Sequence, residues 1–153
     1  TITPATFKSF TKESIEIGGV KQEAVNEFSK ASIDDYNHRI LTLSANSTNT
    51  ILTLGASSAA GQINKDNIEH VRITNLDDEQ SVRLVINLVT DAPAAAGSFH
   101  IELKPLKSHF ISTKSACVVA AGGNFAAYNI VSTIQAVTPA SAAIDIELFV
   151  ITN

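Results

Sequence analysis

Four histidines are the residues of this chain best suited to bind a metal ion or to transfer a proton. They are His38, His70, His100 and His109. A metal site needs several ligands that converge on one ion, and no two of these histidines have the close spacing that places ligands on one helix face. His70 and His100 fall on polar faces of different predicted strands, so only neighbouring strands could bring them together. We therefore predict no metal site.

Nucleophilic catalysis needs a serine or cysteine beside a positioned base, and no motif of this chain provides one. Gly55-Ala56-Ser57-Ser58-Ala59 comes nearest to a Gly-x-Ser-x-Gly elbow but lacks the second glycine. Cys117 has apolar neighbours and is expected to be a buried thiol. Gly18-Gly19 and Gly122-Gly123 are too short to bind a phosphate. The sequence predicts no catalytic residue and no cofactor, and hence a protein that is not an enzyme.

Two acidic clusters, Asp34-Asp35 and Asp77-Asp78-Glu79, could in principle act as paired carboxylates. Asn75, Asp77 and Glu79 also occupy alternating positions, as the ligands of a calcium-binding loop do. Such a loop needs a central glycine, and this segment has none, while Leu76 occupies one of the intervening positions. Adjacent acids in a turn normally stay hydrated, so we expect both clusters to be solvated turns.

Composition excludes some classes of partner. Of the 153 residues 44% are apolar and 17% are charged, and the net charge is −4. Nucleic-acid binding depends on clustered lysine and arginine, which this chain lacks, so no nucleic-acid partner is expected. No stretch approaches the roughly 20 apolar residues that span a bilayer, so no membrane partner is expected either. The weakly charged surface instead favours association with other proteins.

Short runs that alternate apolar and polar residues predict strands. In the clearest run Val71 and Ile73 face inward, and His70 and Arg72 face outward. A second run covers residues 82–88, and the polar residues 75–80 between them predict a β-hairpin. The last run places four side chains on one face: Ile144, Ile146, Leu148 and Val150. Further strands are predicted over residues 14–17, 39–43, 50–54, 99–103, 109–112 and 128–137.

Eight to ten short strands without a long helix predict an all-β protein. The fold we expect is a single antiparallel β-sandwich, jelly-roll-like in its number of strands. Residues 22–30 are compatible with either an amphipathic helix or a strand. Pro4 and the threonine-rich start predict an extended amino-terminal arm over residues 1–11, followed by a sandwich domain over residues 12–153.

The second half of the chain, from about residue 68 to 151, resembles small accessory structural proteins of tailed bacteriophages, particularly those of marine hosts. The order of four segments carries the resemblance: His70-Val71-Arg72-Ile73-Thr74-Asn75-Leu76-Asp77, Val82-Arg83-Leu84-Val85-Ile86, Phe99-His100-Ile101-Glu102-Leu103-Lys104-Pro105 and Ile144-Asp145-Ile146-Glu147-Leu148-Phe149. Such proteins often have glycine after Lys-Pro, where this chain has Leu106.

The resemblance implies a non-enzymatic virion protein, assembled in the host cytoplasm. The role it favours is capsid decoration, in which a cement protein binds neighbouring subunits through sandwich surfaces and the amino-terminal arm. The expected partners are identical subunits, in a homo-oligomer, and the major capsid or tail proteins. A tail or fibre subunit is one alternative. Another is a glycan- or receptor-binding module, for which exposed Tyr36 or Tyr128 near acids or amides would supply the sugar-binding surface.

Overall fold

A computed structural model describes residues 5–55, 61–88, 97–112, 131–139 and 141–153. Within them the chain forms eleven strands: β1 (Ala5–Ile17), β2 (Val20–Ile33), β3 (Asp35–Leu43), β4 (Thr48–Gly55), β5 (Ile63–Asn64), β6 (Ile68–Asn75), β7 (Val82–Leu88), β8 (Gly97–Leu103), β9 (Ser108–Ser112), β10 (Val131–Val137) and β11 (Ile144–Thr152). The one helix in the described residues is a 3-10 turn, Lys65–Asn67. The protein is therefore all-β, as the alternating pattern predicts.

Two sheets form the sandwich. The front sheet has the order β3-β11-β6-β9, and the back sheet has the order β5-β4-β10-β7-β8. The antiparallel pairs are nested along the chain, because β7 pairs with β8, β6 with β9, β4 with β10 and β3 with β11. A long hairpin wrapped in this way over two four-stranded sheets has the topology of a jelly roll. The short strand β5 adds to one edge of the back sheet.

The core lies between the inward faces of the two sheets. The four side chains of β11 predicted to share one face, from Ile144 to Val150, are all almost completely buried. They meet residues of the back sheet such as Leu84, Ile86 and Ile134 in one hydrophobic cluster. The outward residues of β11 alternate with them, as the period of a strand requires.

The predicted hairpin of β6 and β7 is wrong. The two strands lie in different sheets, and residues 76–81 carry the chain across the sandwich between them. The amide of Asn75 holds this crossover, since its Nδ2 donates to the carbonyl oxygens of Gln80 at 2.7 Å and Leu103 at 3.2 Å. Periodicity fixes which face of a strand is buried but not which strand lies beside it, so the pattern could not separate a hairpin from a crossover.

The turn after β8 is tight although Leu106 occupies the position where the resemblance predicts glycine. The amide of Lys107 donates to the carbonyl oxygen of Lys104 at 3.2 Å, which closes the turn. Leu106 adopts a left-handed backbone with φ of 56°. Pro105 is suited to the position before it in such a turn.

Strands β1 and β2 form a separate two-stranded sheet ahead of the sandwich. Gly18 and Gly19 both have positive φ, 59° and 79°, as a two-residue hairpin turn between right-twisted strands requires. The segment over residues 22–30 is strand and not helix, because it pairs with β1 along its whole length. The boundary expected between residues 11 and 12 falls inside β1, and the first sandwich strand begins at Asp35.

Substitution of Ile146 by alanine tests the role of β11. Ile146 is fully buried at the centre of the front sheet, so Ile146→Ala should lower the free energy of unfolding by about 2–5 kcal/mol, from lost burial and the remaining cavity. The matched control is Leu106→Ala in the loop after β8, where the side chain is 62% exposed and the cost should stay below about 0.5 kcal/mol. Urea denaturation measures both, and equal costs would contradict this placement of the core.

Candidate functional site

The hairpin of β1 and β2, residues 5–33, is called the arm here. Cross-strand partners share a face of a two-stranded ribbon, so the arm has two distinct faces. The packing face carries Phe7, Ser9, Thr11, Glu13, Ile15, Ile17, Val20, Gln22, Ala24, Asn26, Phe28 and Lys30. The charged face carries Lys8, Phe10, Lys12, Ser14, Glu16, Lys21, Glu23, Val25, Glu27 and Ser29. The two faces therefore differ mainly in their charge.

The ion pairs within the arm all lie on the charged face. Lys8 pairs with Glu27 at 3.4 Å, and Lys12 and Lys21 both reach Glu23. The pKa of Glu23 is lowered by these two lysines. All of these side chains are exposed, and exposed ion pairs contribute little to stability. They mark the face of the arm that is suited to remain in water.

The base of the arm packs on the outer face of the front sheet. The ring of Phe7 lies 5.0 Å from the ring of His70 and 6.1 Å from that of Phe149, measured between centroids. Phe28 also stacks on His70, at 6.3 Å between centroids, and lies 6.0 Å from Phe7. Lys30 adds a partly buried ion pair to Glu69 at 2.7 Å. Both phenylalanines belong to the packing face, so this face is already in contact with the sandwich at one end of the arm.

His70 is buried by this contact. The sequence places it on the solvent side of β6, and it does lie on the outer face, but the arm leaves only 4% of it exposed. Its Nδ1 has no hydrogen-bond partner among the described residues. Burial lowers the pKa of His70 to about 4, and the nearby Arg72 contributes in the same direction. The imidazole is therefore neutral near pH 7.

A groove of about 380 Å³ runs between the arm and the front sheet. Four phenylalanines line it: Phe7, Phe10, Phe110 and Phe149. His70, three hydroxyl side chains and two cations, Lys8 and Arg72, complete the lining. The guanidinium of Arg72 lies 5.3 Å from the centroid of the Phe149 ring, a cation–π contact. The groove therefore combines aromatic rings with polar and positively charged side chains.

Glu147 links this surface to the edge strand β3. Its carboxylate accepts a hydrogen bond from Nε2 of His38 at 2.8 Å and another from Nη2 of Arg72 at 2.7 Å. The bond from His38 is the main reason that the pKa of Glu147 is lowered, and partial burial opposes it. Because both carboxylate oxygens are engaged in a fixed network, Glu147 is a structural link here.

The histidines do not converge. His38 and His70 lie on the front sheet, His100 lies on β8 in the back sheet, and His109 points inward from β9, where burial lowers its pKa. No three histidine, cysteine or acidic side chains come together in a metal-binding arrangement within the described ranges.

In the acidic turn after β6, the carboxylate of Asp77 holds the backbone through hydrogen bonds. Oδ1 of Asp77 accepts from the amides of Glu79 at 2.8 Å and Gln80 at 2.6 Å. Asn75 is fully buried and accepts from the amide of Asp77. The remaining candidates, Ser57, Cys117, Tyr128 and Gly122-Gly123, lie outside the described residues.

Sequence reasoning missed Phe7 and Phe28, which dock the arm. The available signal was Gly18-Gly19 between two alternating runs, which is typical of a two-residue hairpin. The segment that follows it, residues 22–30, is also compatible with a helix, so the sequence does not predict the hairpin.

The comparisons with known proteins identify no relative. No family model, no curated protein and no solved structure matches this chain. Within the described residues no helix is long and apolar enough to cross a membrane. The functional argument therefore depends on the geometry of the arm and of the surfaces beside it.

The buried His70 makes the stability of the protein depend on pH. Because the folded state favours the neutral imidazole, this contribution is complete above pH 6.5 and is lost as the pH falls from 6.5 through about 4. The loss should reach up to about 3 kcal/mol. His70→Phe keeps a ring beside Phe7 and Phe28 but cannot titrate, so its unfolding free energy should fall less over the same range. Parallel curves for the two proteins in urea titrations at several pH values would contradict the burial of His70.

Proposed function

We propose that this chain is a non-enzymatic structural protein of a virus particle, of the capsid-decoration kind, which binds neighbouring subunits through its arm and its sandwich surfaces. The observation that carries the proposal is the arm. It has 13 and 14 strand residues, and beyond its base nearly all of them are exposed. An isolated two-stranded hairpin is at best marginally stable in water, so a hairpin of this length is expected to pack against a partner.

The side chains of the arm support this role. Five large apolar residues on it are more than half exposed: Phe10, Ile15, Ile17, Val20 and Val25. Apolar side chains concentrated on one projecting element are typical of an interaction surface, whereas isolated ones are common on any protein. Burial of such side chains in an interface would contribute about 25 cal/mol per Å² of apolar surface.

The fold is compatible with the same role. Jelly rolls occur in viral capsid proteins and also in lectins, so the fold alone does not choose between assembly and glycan binding. The long projecting hairpin favours assembly, because a glycan site needs a cleft and not an arm.

A short-arm variant tests the proposal. Removal of residues 12–17 and 20–25 lets Gly18-Gly19 join Thr11 to Asn26, which are cross-strand partners on the same face as Ile17 and Val20. Phe7, Phe28 and the contact with His70 are kept, so the sandwich should fold normally. Immunogold labelling of particles purified from infected host cells should detect the full chain on the particle and at most a tenth as much of the short-arm variant.

The position of the label separates the two virion roles, since a decoration protein labels the head and a fibre subunit labels the tail. Two results would contradict the proposal. One is particles that carry no label for the full chain, and the other is equal labelling for the full and short-arm chains.

One cleft favours glycan binding as a second candidate function. It encloses about 250 Å³ at the start of β3, and acids and amides line it: Asp35, Asn37, Gln62, Asn64 and Asn67. Side-chain amides and carboxylates are suited to bind sugar hydroxyls. Tyr36 points to the opposite face of β3 from Asp35 and Asn37, so the sugar-binding role expected for it is not placed at this cleft.

A glycan array tests this second function. Any glycan bound by the protein should bind at least about tenfold more weakly to the double variant Asn37→Ala/Gln62→Ala, since each lost hydrogen bond contributes about 1 kcal/mol. Asn26→Ala, which removes an amide from the arm, should leave binding unchanged. An array without hits would exclude this function for the glycans tested.

A further inference from the structure

We infer that the distal half of the arm, residues 11–26, binds the uncovered part of the front sheet on a second copy of this chain, with its packing face against Tyr36, His38 and Ile40 of β3. The inference rests on the proposed assembly function and names the partner of the arm. Three features of the two surfaces support it.

The first feature is continuity of the packing face. At the base of the arm, Phe7 and Phe28 of this face already pack on the outer face of a front sheet. The same face continues beyond them through Ile15, Ile17 and Val20, which have no such cover. A ribbon face that fits the outer surface of this sheet at one end is therefore suited to bind the same kind of surface at its other end.

The second feature is the unfinished cover of the front sheet. The arm covers the outer face over β6 and β11, where His70 and Ile151 are buried. The outward side chains of the neighbouring strand β3 stay open, with Tyr36 and Ile40 each more than 60% exposed. They adjoin the covered region directly, because the ring of Phe149 lies 6.3 Å from Tyr36 and 5.8 Å from His38. A second arm would complete this cover.

The third feature is charge and size. The docking segment, residues 11–26, contains two lysines and three glutamates, so its formal charge is −1, and the remaining −3 of the net charge of −4 belongs to the rest of the chain. A weakly charged segment can approach an acidic body with less repulsion than two such bodies would experience. The segment has 16 residues, and in a reciprocal exchange each copy contributes this segment and a sheet surface, which together approach the roughly 20–30 residues that one side of a standard interface contributes.

Binding of an arm to a sheet is a contact between two different surfaces. Such contacts build a closed assembly either by a reciprocal exchange of arms between two copies or by forming a ring of several copies. In both arrangements one variant can damage the arm and another can damage its binding surface, so the two surfaces can be tested separately.

The arm offers a matched pair of substitutions for this test. Val20 and Val25 lie on the same strand and are 62% and 61% exposed, but they point to opposite faces. Sedimentation velocity of the purified chain over a range of micromolar concentrations should show a homo-oligomer. Val20→Lys should raise the dissociation constant about tenfold or more, because it places a charge in an apolar contact, and Val25→Lys should leave it unchanged.

The binding surface has its own pair of variants. Ile40→Lys on β3 should weaken association as Val20→Lys does, whereas Leu106→Lys, at an equally exposed site in the loop after β8, should not. Mixing the Val20→Lys and Ile40→Lys proteins should restore a complex, since each supplies the surface that the other lacks. Circular dichroism should show that all four variants are folded.

Three outcomes would overturn the inference. They are a monomeric chain at every concentration, association that Val20→Lys and Val25→Lys affect equally, and an Ile40→Lys variant that associates normally, which would point to arms that bind each other. None of these outcomes affects the proposed function if the short-arm variant is still lost from particles. Loss of the proposed function appears instead as particles without label, whatever the state of the purified chain.

Discussion

Strand β11 holds the sandwich together, because it lies inside the front sheet and pairs along its whole length with β3 and along most of it with β6. The strands it joins are far apart in the sequence, and β3 is the first strand of the sandwich. The jelly roll therefore closes only when the first and last sandwich strands meet. Such non-local pairing makes the fold dependent on burial of the inward face of β11, since no local contact can replace it. The root of the arm is tied to the same strand, where the amide of Asp34 donates to the carbonyl oxygen of Thr152 at 3.3 Å.

The arm is held together by different interactions from those that stabilise the sandwich. Its strands meet across a two-residue glycine turn, so its pairing is local, and its ion pairs lie in water. Phe7, Phe28 and Lys30 connect the base of the arm to the sandwich, through the outer face of the front sheet and an ion pair with Glu69. The arm exposes five large apolar side chains, and the proposed binding to another molecule would bury them. The sandwich supplies a rigid base, and the arm supplies the reach, which is roughly 20 Å for residues 11–17 at 3.3 Å per residue.

The alternating pattern of the sequence was sufficient to predict which side chains of a strand face the core. Val71, Ile73, Val82 and the residues of β11 lie where period two places them, because a strand has only two sides. The same pattern does not give the order of the strands in a sheet. It therefore predicts a hairpin of β6 and β7, although these strands belong to different sheets. It also could not show that an outward residue is covered by something else. His70 has the position of a surface histidine in its own strand, and rings from other parts of the chain, Phe7, Phe28 and Phe110, pack against it.

Hydrogen–deuterium exchange of the arm amides, measured in the dilute chain and in assembled material, tests most directly whether the arm is a docking element. In the dilute chain the amides of residues 11–26 should exchange quickly and those of β11 slowly, because a two-stranded hairpin without a partner opens easily. In the assembled material, whether homo-oligomer or labelled particle, the arm amides should become protected by at least about tenfold while β11 changes little. Equal exchange of the arm in both states would contradict the account.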